Sequence, residues 1–158
     1  MSLAEGFVFH REEDVSLDQI EDKGSATLVT YWNSKRGAKS FAYRDDLDPV
    51  DIPELLGHVR LVDIEAGGVF RFRVYGTSAT NPDQRDMTGK TTQEYQDKAF
   101  GDLVTAHYRA VAESGEVRCW RVLGQLGTKS YAHLRVVLPV SRNREFVDSL
   151  LISSSLVK

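Results

Sequence analysis

Two rows of polar side chains are the strongest candidates for chemistry in this sequence. Each row places three hydrogen-bond donors at every second position of a segment whose other residues are apolar. The rows are Arg71, Arg73 and Tyr75, and Tyr131, His133 and Arg135. Because successive residues of a β-strand point to opposite faces, each row lies on one face of its strand.

The side of the sheet that the rows face decides what they can do. Turned toward helices, they would converge into a pocket of donors suited to a carboxylate or a phosphate. Turned outward, they form the solvated side of an antiparallel sheet or a surface for a partner. The alternate positions of Phe70–Val74 and Ala132–Val140 are apolar, and burying each large side chain contributes ~1.5–3 kcal/mol. We therefore expect the apolar positions in the core and the polar rows outward, as an interaction surface.

Other reactive side chains give weaker signals. Gly89-Lys90-Thr91 resembles the end of a phosphate-binding P-loop, but Gln84 stands where that motif requires glycine. His107 lies mid-helix, where a haem ligand could sit, yet such a histidine is more often a surface or satisfied residue. Cys119 is expected to be a small buried side chain. The sequence shows no flavin, haem or nucleotide motif, and any cofactor stays unidentified.

A catalytic alternative is open. His107 or His133, with Asp63 or Asp86, could provide the acid/base pair of a small α+β enzyme. These residues have no recognised spacing. The acidic residues between positions 45 and 51 do not match a calcium loop, so we expect structural roles for them and no metal site.

Composition limits the class of protein. A chain of 158 residues fits one domain with a substantial core. Its net charge of −3, with both signs interspersed, gives no basic surface for nucleic acid. The single Cys119 excludes an intrachain disulfide. No apolar run approaches the ~20 residues of a membrane span, and no signal-peptide pattern opens the chain. We expect a cytoplasmic protein without a membrane or nucleic-acid partner.

The first part of the chain is expected to be helical. Residues 1–24 form a partly helical extension, and residues 25–158 form one domain. Leu28, Val29 and Trp32 fall at helical spacing in a predicted helix over Ala26–Arg36. Gly37 is the expected stop. Asp51-Ile52-Pro53-Glu54 is a capping box that predicts a second, short helix.

The rest of the chain predicts a sheet interrupted by helices. The strands are predicted at Val59–Ile64, Phe70–Tyr75, Val117–Leu126, Tyr131–Val140 and Phe146–Leu156, and a Gly-Gly turn joins the first two. Thr91 to Glu94 is a capping box that opens a helix toward Phe100. A further helix is predicted from Asp102 to Glu113, ended by Gly115. This order predicts an α+β domain: a five-stranded antiparallel sheet with helices on one face, plus N-terminal helices.

Four short segments carry a resemblance to a known family. They are Tyr31-Trp32 with Arg36-Gly37, Arg44 to Pro53 (RDDLDPVDIP), Phe72 to Thr77 (FRVYGT), and Asp86 to Lys90 (DMTGK). In this order they resemble the motifs of the PAS-like family, a group of short bacterial proteins within the PAS sensory domains. The resemblance extends from about Leu28 to Leu138.

The resemblance implies a PAS fold without known catalytic activity. A single domain of this kind would signal by binding a small molecule or by acting in trans on a kinase or another regulator, and we expect a homodimer. The implied pocket lies among Phe72, Val74, Tyr95, Phe100, Tyr108, Trp120 and Leu134. An adaptor that binds a partner protein without any ligand is the main alternative.

Overall fold

The computed structural model describes residues 6–79 and 81–156 and shows a mixed α+β domain built on one sheet. The strands are β1 (Phe7–Asp14), β2 (Ala42–Tyr43), β3 (Val59–Glu65), β4 (Val69–Tyr75), β5 (Arg118–Leu126), β6 (Lys129–Ser141) and β7 (Ser149–Leu156). The helices are α1 (Lys23–Arg36) and α2 (Lys98–Ser114). Short 3-10 turns occupy Leu17–Gln19, Arg44–Asp46, Pro49–Asp51, Pro53–His58 and Thr92–Glu94. No helix in these ranges has the length and apolar composition to span a bilayer.

The strand order across the sheet is β1-β5-β6-β7-β3-β4, and each neighbouring pair is antiparallel. β2 pairs with β6 in parallel over two residues. The predicted α+β class with an antiparallel sheet is confirmed, and the five predicted strands are present as β3 to β7. The sheet is larger than predicted because β1 and β2 add to it.

Helices cover both faces of the sheet, whereas the prediction gathered them on one face. α2 packs on the side that we call the inner face, in a cluster rich in aromatic residues. α1 packs on the opposite, outer face, where Leu28, Val29 and Trp32 meet the apolar positions of β6. β6 is therefore buried on both sides, and its alternate residues enter two different cores.

The N-terminal segment departs most from the prediction. Phe7–Asp14, in a stretch expected to be partly helical, forms β1 at the edge of the sheet beside β5. Seven of its eight residues are exposed, so its sequence lacks the alternation that identifies a half-buried strand. The helix predicted over Ala26–Arg36 is present as α1, which Gly37 ends.

One predicted capping box is confirmed and the other is wrong. Thr91 and Glu94 form their box, but it opens only a short 3-10 turn. Asp51 makes no capping bond to the 3-10 turn Pro53–His58. Its carboxylate accepts a hydrogen bond from the Tyr31 hydroxyl at 2.9 Å instead. The acidic cluster thus has a structural role at this position.

α2 is one helix rather than the two predicted. The Asp97 carboxylate accepts a hydrogen bond from the backbone N–H of Phe100 at 3.1 Å, and the helix begins at Lys98. Asp102, the predicted N-cap, lies inside the helix. Gly115 ends the helix as predicted, in the left-handed conformation with φ of 70°.

An extra residue in β4 changes which side chains enter the inner core. Val74 and Phe72 pair with two consecutive residues of β3, so Arg73 is a bulge. The alternation changes phase at this point. Phe72 is fully buried and Tyr75 is only 6% exposed, whereas Val74 is 42% exposed. Tyr75 therefore faces the helices, contrary to the simple period of two.

Candidate functional site

Buried polar groups are concentrated between α2 and the inner face of the sheet, and we call this set the inner layer. Its members come from β1, β3, β4, β6, α2 and the segment between β4 and α2. They are Glu12, Arg60, Tyr75, Asn81, Tyr95, His107, Tyr108, Tyr131, His133 and Arg135. Apart from Glu12, each exposes 8% of its surface or less. Polar groups buried this well need hydrogen-bond partners.

A chain of hydrogen bonds joins Arg135, His107 and Glu12. Arg135 Nη1 lies 3.0 Å from His107 Nδ1, and His107 Nε2 lies 2.8 Å from Glu12 Oε1. Since a guanidinium can only donate, Nδ1 accepts and Nε2 carries the proton that it donates to the carboxylate. The imidazole stacks on Trp120 with ring centroids 4.0 Å apart. Burial, and then the charge of Arg135, lower the pKa of His107 to about 2, so the ring is neutral.

A second group of polar side chains surrounds Tyr75. Its hydroxyl lies 3.0 Å from the Tyr95 hydroxyl and accepts a hydrogen bond from Asn81 Nδ2 at 3.0 Å. The same amide nitrogen donates to the Arg85 carbonyl at 2.9 Å. The Arg60 guanidinium lies 4.8 Å from the centre of the Tyr75 ring. Burial raises the pKa of Tyr95 well above its ordinary value, so its hydroxyl stays protonated.

Asn81 Oδ1 and His133 Nδ1 are atoms of the inner layer that have no hydrogen-bond partner among the described residues. The Asn81 amide nitrogen already donates twice, which fixes the orientation of the amide and leaves its oxygen unpartnered. His133 stacks on Tyr131 with ring centroids 4.0 Å apart. Burial is the main cause that lowers the pKa of His133 to about 4. Such unpartnered buried atoms are rare and mark places where a ligand or water can bind.

A surface cleft borders the inner layer beside Tyr75. It has a volume of about 390 Å³, and its walls include Tyr75, Asn81 and Arg85. That volume is within the range of small-molecule sites. The cleft therefore gives a small molecule access to the same asparagine whose side-chain oxygen is unpartnered.

Five of the seven predicted pocket residues come together on the inner face: Phe72, Tyr95, Phe100, Tyr108 and Trp120. Their rings pack edge to face, with Phe72 centred 5.9 Å from Tyr95 and 6.3 Å from Tyr108. Val74 and Leu134 are not part of this group. Val74 is exposed because of the bulge, and Leu134 packs in the outer cluster against α1.

The predicted outward surface is wrong for four of its six residues. Tyr75, Tyr131, His133 and Arg135 all face the inner core. The physical reason is that both faces of the sheet are buried, so the apolar row of β6 packs on α1 while its polar row packs on α2. These four side chains therefore adopt the other arrangement that the sequence left open, in which donors converge beneath a helix. Only Arg71 and Arg73 stay exposed, paired with Glu65 and Asp63.

The acid/base pairs of the catalytic alternative do not form. Three arginine side chains hold Asp63 at 2.8 to 3.4 Å, away from the inner layer. Asp86 accepts hydrogen bonds from the backbone and hydroxyl of Thr88. His107 is paired with Glu12, a residue not among the predicted partners. The geometry gives no support to the predicted dyads.

Cys119 is buried in the outer cluster, as predicted for a small apolar side chain. Burial raises the pKa of its thiol to about 12, so thiolate is scarce at neutral pH. Among the residues that the structure describes, no group of three or more histidine, cysteine, aspartate or glutamate side chains could hold a metal ion.

Sequence reasoning missed three members of the inner layer. Arg60 carried a signal, since it is a charged residue within the apolar run Val59–Ile64. Glu12 carried none, because its partner His107 is 95 positions away in the chain. Asn81 lies in a polar segment without periodicity, and nothing in the sequence distinguishes it from its neighbours.

A family comparison agrees with this arrangement of strands and helices. Residues 20–151 match the family model described as a PAS domain. The chain belongs to the PAS domain family. PAS domains are generally non-catalytic sensory modules, which indicates a sensory or signalling role. The match covers α1, α2, β2 to β6 and the start of β7, whereas β1 precedes it. A comparison with curated proteins finds no match.

Proposed function

We propose that this PAS domain is a sensor that binds a small polar molecule with an anionic group in its inner layer. The observation that supports this most is that two buried atoms of the layer, Asn81 Oδ1 and His133 Nδ1, have no hydrogen-bond partner in the described part of the chain. A buried polar atom without a partner costs about 1–3 kcal/mol. A layer used only for packing would gain stability by replacing these side chains with apolar ones.

The charges of the inner layer favour an anionic ligand. Arg60 and Arg135 place two guanidinium groups there against the single carboxylate of Glu12, while His107 and His133 are neutral at physiological pH. Arginine pairs well with carboxylate and phosphate groups because its donors form a planar fork. A hydroxyl or amino group on the same ligand would donate to Asn81 Oδ1. We therefore favour small hydroxylated or aminated carboxylates and phosphates.

The ligand would reach the inner layer from the cleft beside Tyr75 and shift the packing of α2. The Tyr75–Tyr95 contact joins the sheet to the segment that leads into α2. A ligand that binds beside these hydroxyls favours one packing of the helix on the sheet over another, and the population shift is the signal. Catalysis by the domain itself is not part of this proposal.

The signal would pass to another protein in trans, a kinase or a similar regulator, from a cytoplasmic homodimer. The exposed arginines Arg71 and Arg73 on the outer side of β4 are candidates for the partner surface. Nucleic acid and membranes are not proposed as partners, in line with the acidic net charge.

A second candidate function is an adaptor that binds a partner without a ligand. The close ring packing of Phe72, Tyr95, Phe100 and Tyr108 favours it, because these side chains already fill much of the inner core. The two functions differ in whether a small molecule stabilises the folded chain.

Thermal unfolding with a library of small carboxylates and phosphates tests the sensor. A true ligand at 100 times its Kd stabilises the folded state by about 2.7 kcal/mol and raises Tm. Asn81→Ala should abolish this rise, whereas Asn33→Ala, a change at an exposed position of α1, should leave it intact. If no compound raises the Tm of the unmodified chain, the adaptor replaces the sensor.

A further inference from the structure

β1 lies outside the part of the chain that matches the PAS family, and most of its side chains are exposed. It precedes residues 20–151, the part that matches the family. In the described part of the chain, its only strand partner is β5, and Phe7 is its only buried residue. The paired register runs from Phe7 opposite Leu126 to Asp14 opposite Trp120, with His10 as an extra residue. A strand with this little burial can leave the sheet more readily than the strands beneath it.

The first anchor of β1 is aromatic. The Phe7 ring contacts the edges of Phe100 and Tyr131, with centroids 5.5 and 5.0 Å apart. The backbone N–H of Phe7 donates to Asp97 Oδ2 at 2.7 Å. An aromatic side chain and one backbone donor therefore fix the start of the strand.

The other two anchors are acidic. Glu12 accepts from His107 at 2.8 Å, and His107 in turn accepts from the buried Arg135. Asp14 is 2.7 Å from the Arg118 guanidinium. Without Glu12, His107 Nε2 loses its acceptor, so a strand that replaces β1 restores this bond and places a negative charge near Arg135 when it brings an acidic residue there.

The edge of β5 is also shaped for a close strand. A Cβ atom built on Gly124 would lie 2.3 Å from the Val8 carbonyl oxygen, a distance that real side chains do not allow. The other near atoms, at 3.3 and 3.5 Å, also belong to the backbone of β1. Glycine at position 124 thus permits the approach of another backbone, which is a common reason for glycine within a strand.

We propose that the edge of β5 is a strand-binding groove, filled by β1 within the chain, that binds an extended acidic segment of a partner protein in place of β1. Such a segment carries an aromatic residue followed by acidic residues five and seven positions later, the spacing of Phe7, Glu12 and Asp14. Main-chain bonds would give affinity and the three anchors specificity, as in other strand additions. This strand-binding proposal shares one assumption with the proposed function, namely that the domain acts on a partner protein in trans.

Binding of a labelled peptide that copies residues 6–16 to the full chain tests this groove. Glu12→Gln in the chain weakens the internal strand, so peptide binding should tighten about tenfold relative to the unmodified chain. Glu13→Gln, at the exposed neighbouring position, is the matched control and should change nothing. The same peptide carrying glutamine in place of its Glu12 should bind about tenfold more weakly.

Two further variants should prevent a peptide from pairing with β5. Gly124→Ala, added to Glu12→Gln, should abolish peptide binding because the new methyl group blocks the backbone of any strand. Val8 and Gln125 are directly opposed, so a V8C/Q125C disulfide would lock β1 in place. The oxidised form should not bind the peptide, and reduction should restore binding.

The strand-binding proposal would be wrong if the disulfide-locked form bound the peptide. It would also be wrong if the glutamine substitution in the peptide left its affinity unchanged. If the peptide instead dissociates a dimer of the chain, the occupant is the β1 of a second copy rather than a partner segment. Ligand-induced thermal shifts are a separate measurement, so failure here and failure of the sensor are distinguishable.

Discussion

The two faces of the central sheet differ in what they bury, although the same strands form both. On the outer face, α1 covers an apolar cluster that includes Leu138 and Val140, and the indole of Trp32 donates to the Pro139 carbonyl. On the inner face, α2 covers arginine, histidine and tyrosine side chains as well as apolar ones. Apolar packing needs no partners, whereas each polar group needs one. The outer face is thus suited to stability and the inner face to binding.

The largest expected effect is acid destabilisation through the inner face. Folding lowers the pKa of His133 to about 4 and of His107 to about 2, below the ordinary 6.5. The unfolded chain therefore binds protons first as the pH falls, and the stability present above pH 6.5 is lost at about 1.4 kcal/mol per histidine per pH unit. Urea unfolding between pH 7 and 4.5 measures this slope.

The matched variants are His133→Gln and, as an exposed control, His10→Gln. His133→Gln should remove the share of the slope that belongs to one histidine, and His10→Gln should leave the slope as it is. Equal slopes in both variants would contradict the low pKa of His133 in the folded chain.

The next effect distinguishes Phe72 from Val74, the residues on either side of the bulge in β4. Phe72→Ala should cost about 3–5 kcal/mol, because it opens a cavity in the inner core. Val74→Ala should change the free energy of unfolding by about 0.5 kcal/mol or less, because Val74 faces solvent. Chemical denaturation of both variants checks the bulge at Arg73. If both variants lost a similar free energy of unfolding, Val74 would have to lie in the core, which would contradict the observed register.

A change on the outer face should affect stability without affecting binding. Leu138→Ala should cost about 2–5 kcal/mol, since Leu138 is fully buried against α1. The Kd of any ligand that raises the Tm should stay within about twofold, measured by titration well below the transition temperature. A parallel loss of affinity would mean that the two faces are not separate.

The smallest expected effect concerns one hydroxyl. Tyr75→Phe removes the group that joins Tyr95 to Asn81 and should cost about 1 kcal/mol. Tyr43→Phe, a partly buried position outside the inner layer, is the control for the substitution itself. Ligand affinity should fall with Tyr75→Phe alone, and an equal response of the two variants would argue against a special role for Tyr75.

The sequence was sufficient for most of the fold and for only part of the site. Alternation and glycine turns located the five strands from Val59 onward, because each strand's local pattern agrees with its place in the sheet. β1 escaped prediction because an edge strand exposed along seven residues has no apolar alternation to detect. The bulge at Arg73 also left no local mark, and it reversed the direction of Val74 and Tyr75.

The sequence predicted which residues form much of the site better than it predicted how they are arranged. The polar row of β6 was identified from the sequence. Whether that row faces solvent or the core depends on the helices that cover the two faces of the sheet, and the pattern of a single strand does not specify this. The partnership of Glu12 with His107 spans 95 positions. Contacts of this kind follow from tertiary packing and have no local signal.

Native mass spectrometry of the purified full chain, beside its denatured mass, tests the central claim that the inner face binds a small molecule. We expect an added mass in the native spectrum of the unmodified chain, which Asn81→Ala loses and Asn33→Ala keeps. A native mass that equals the bare chain or its simple multiples, with no compound able to change it, would contradict the claim and leave the adaptor as the function.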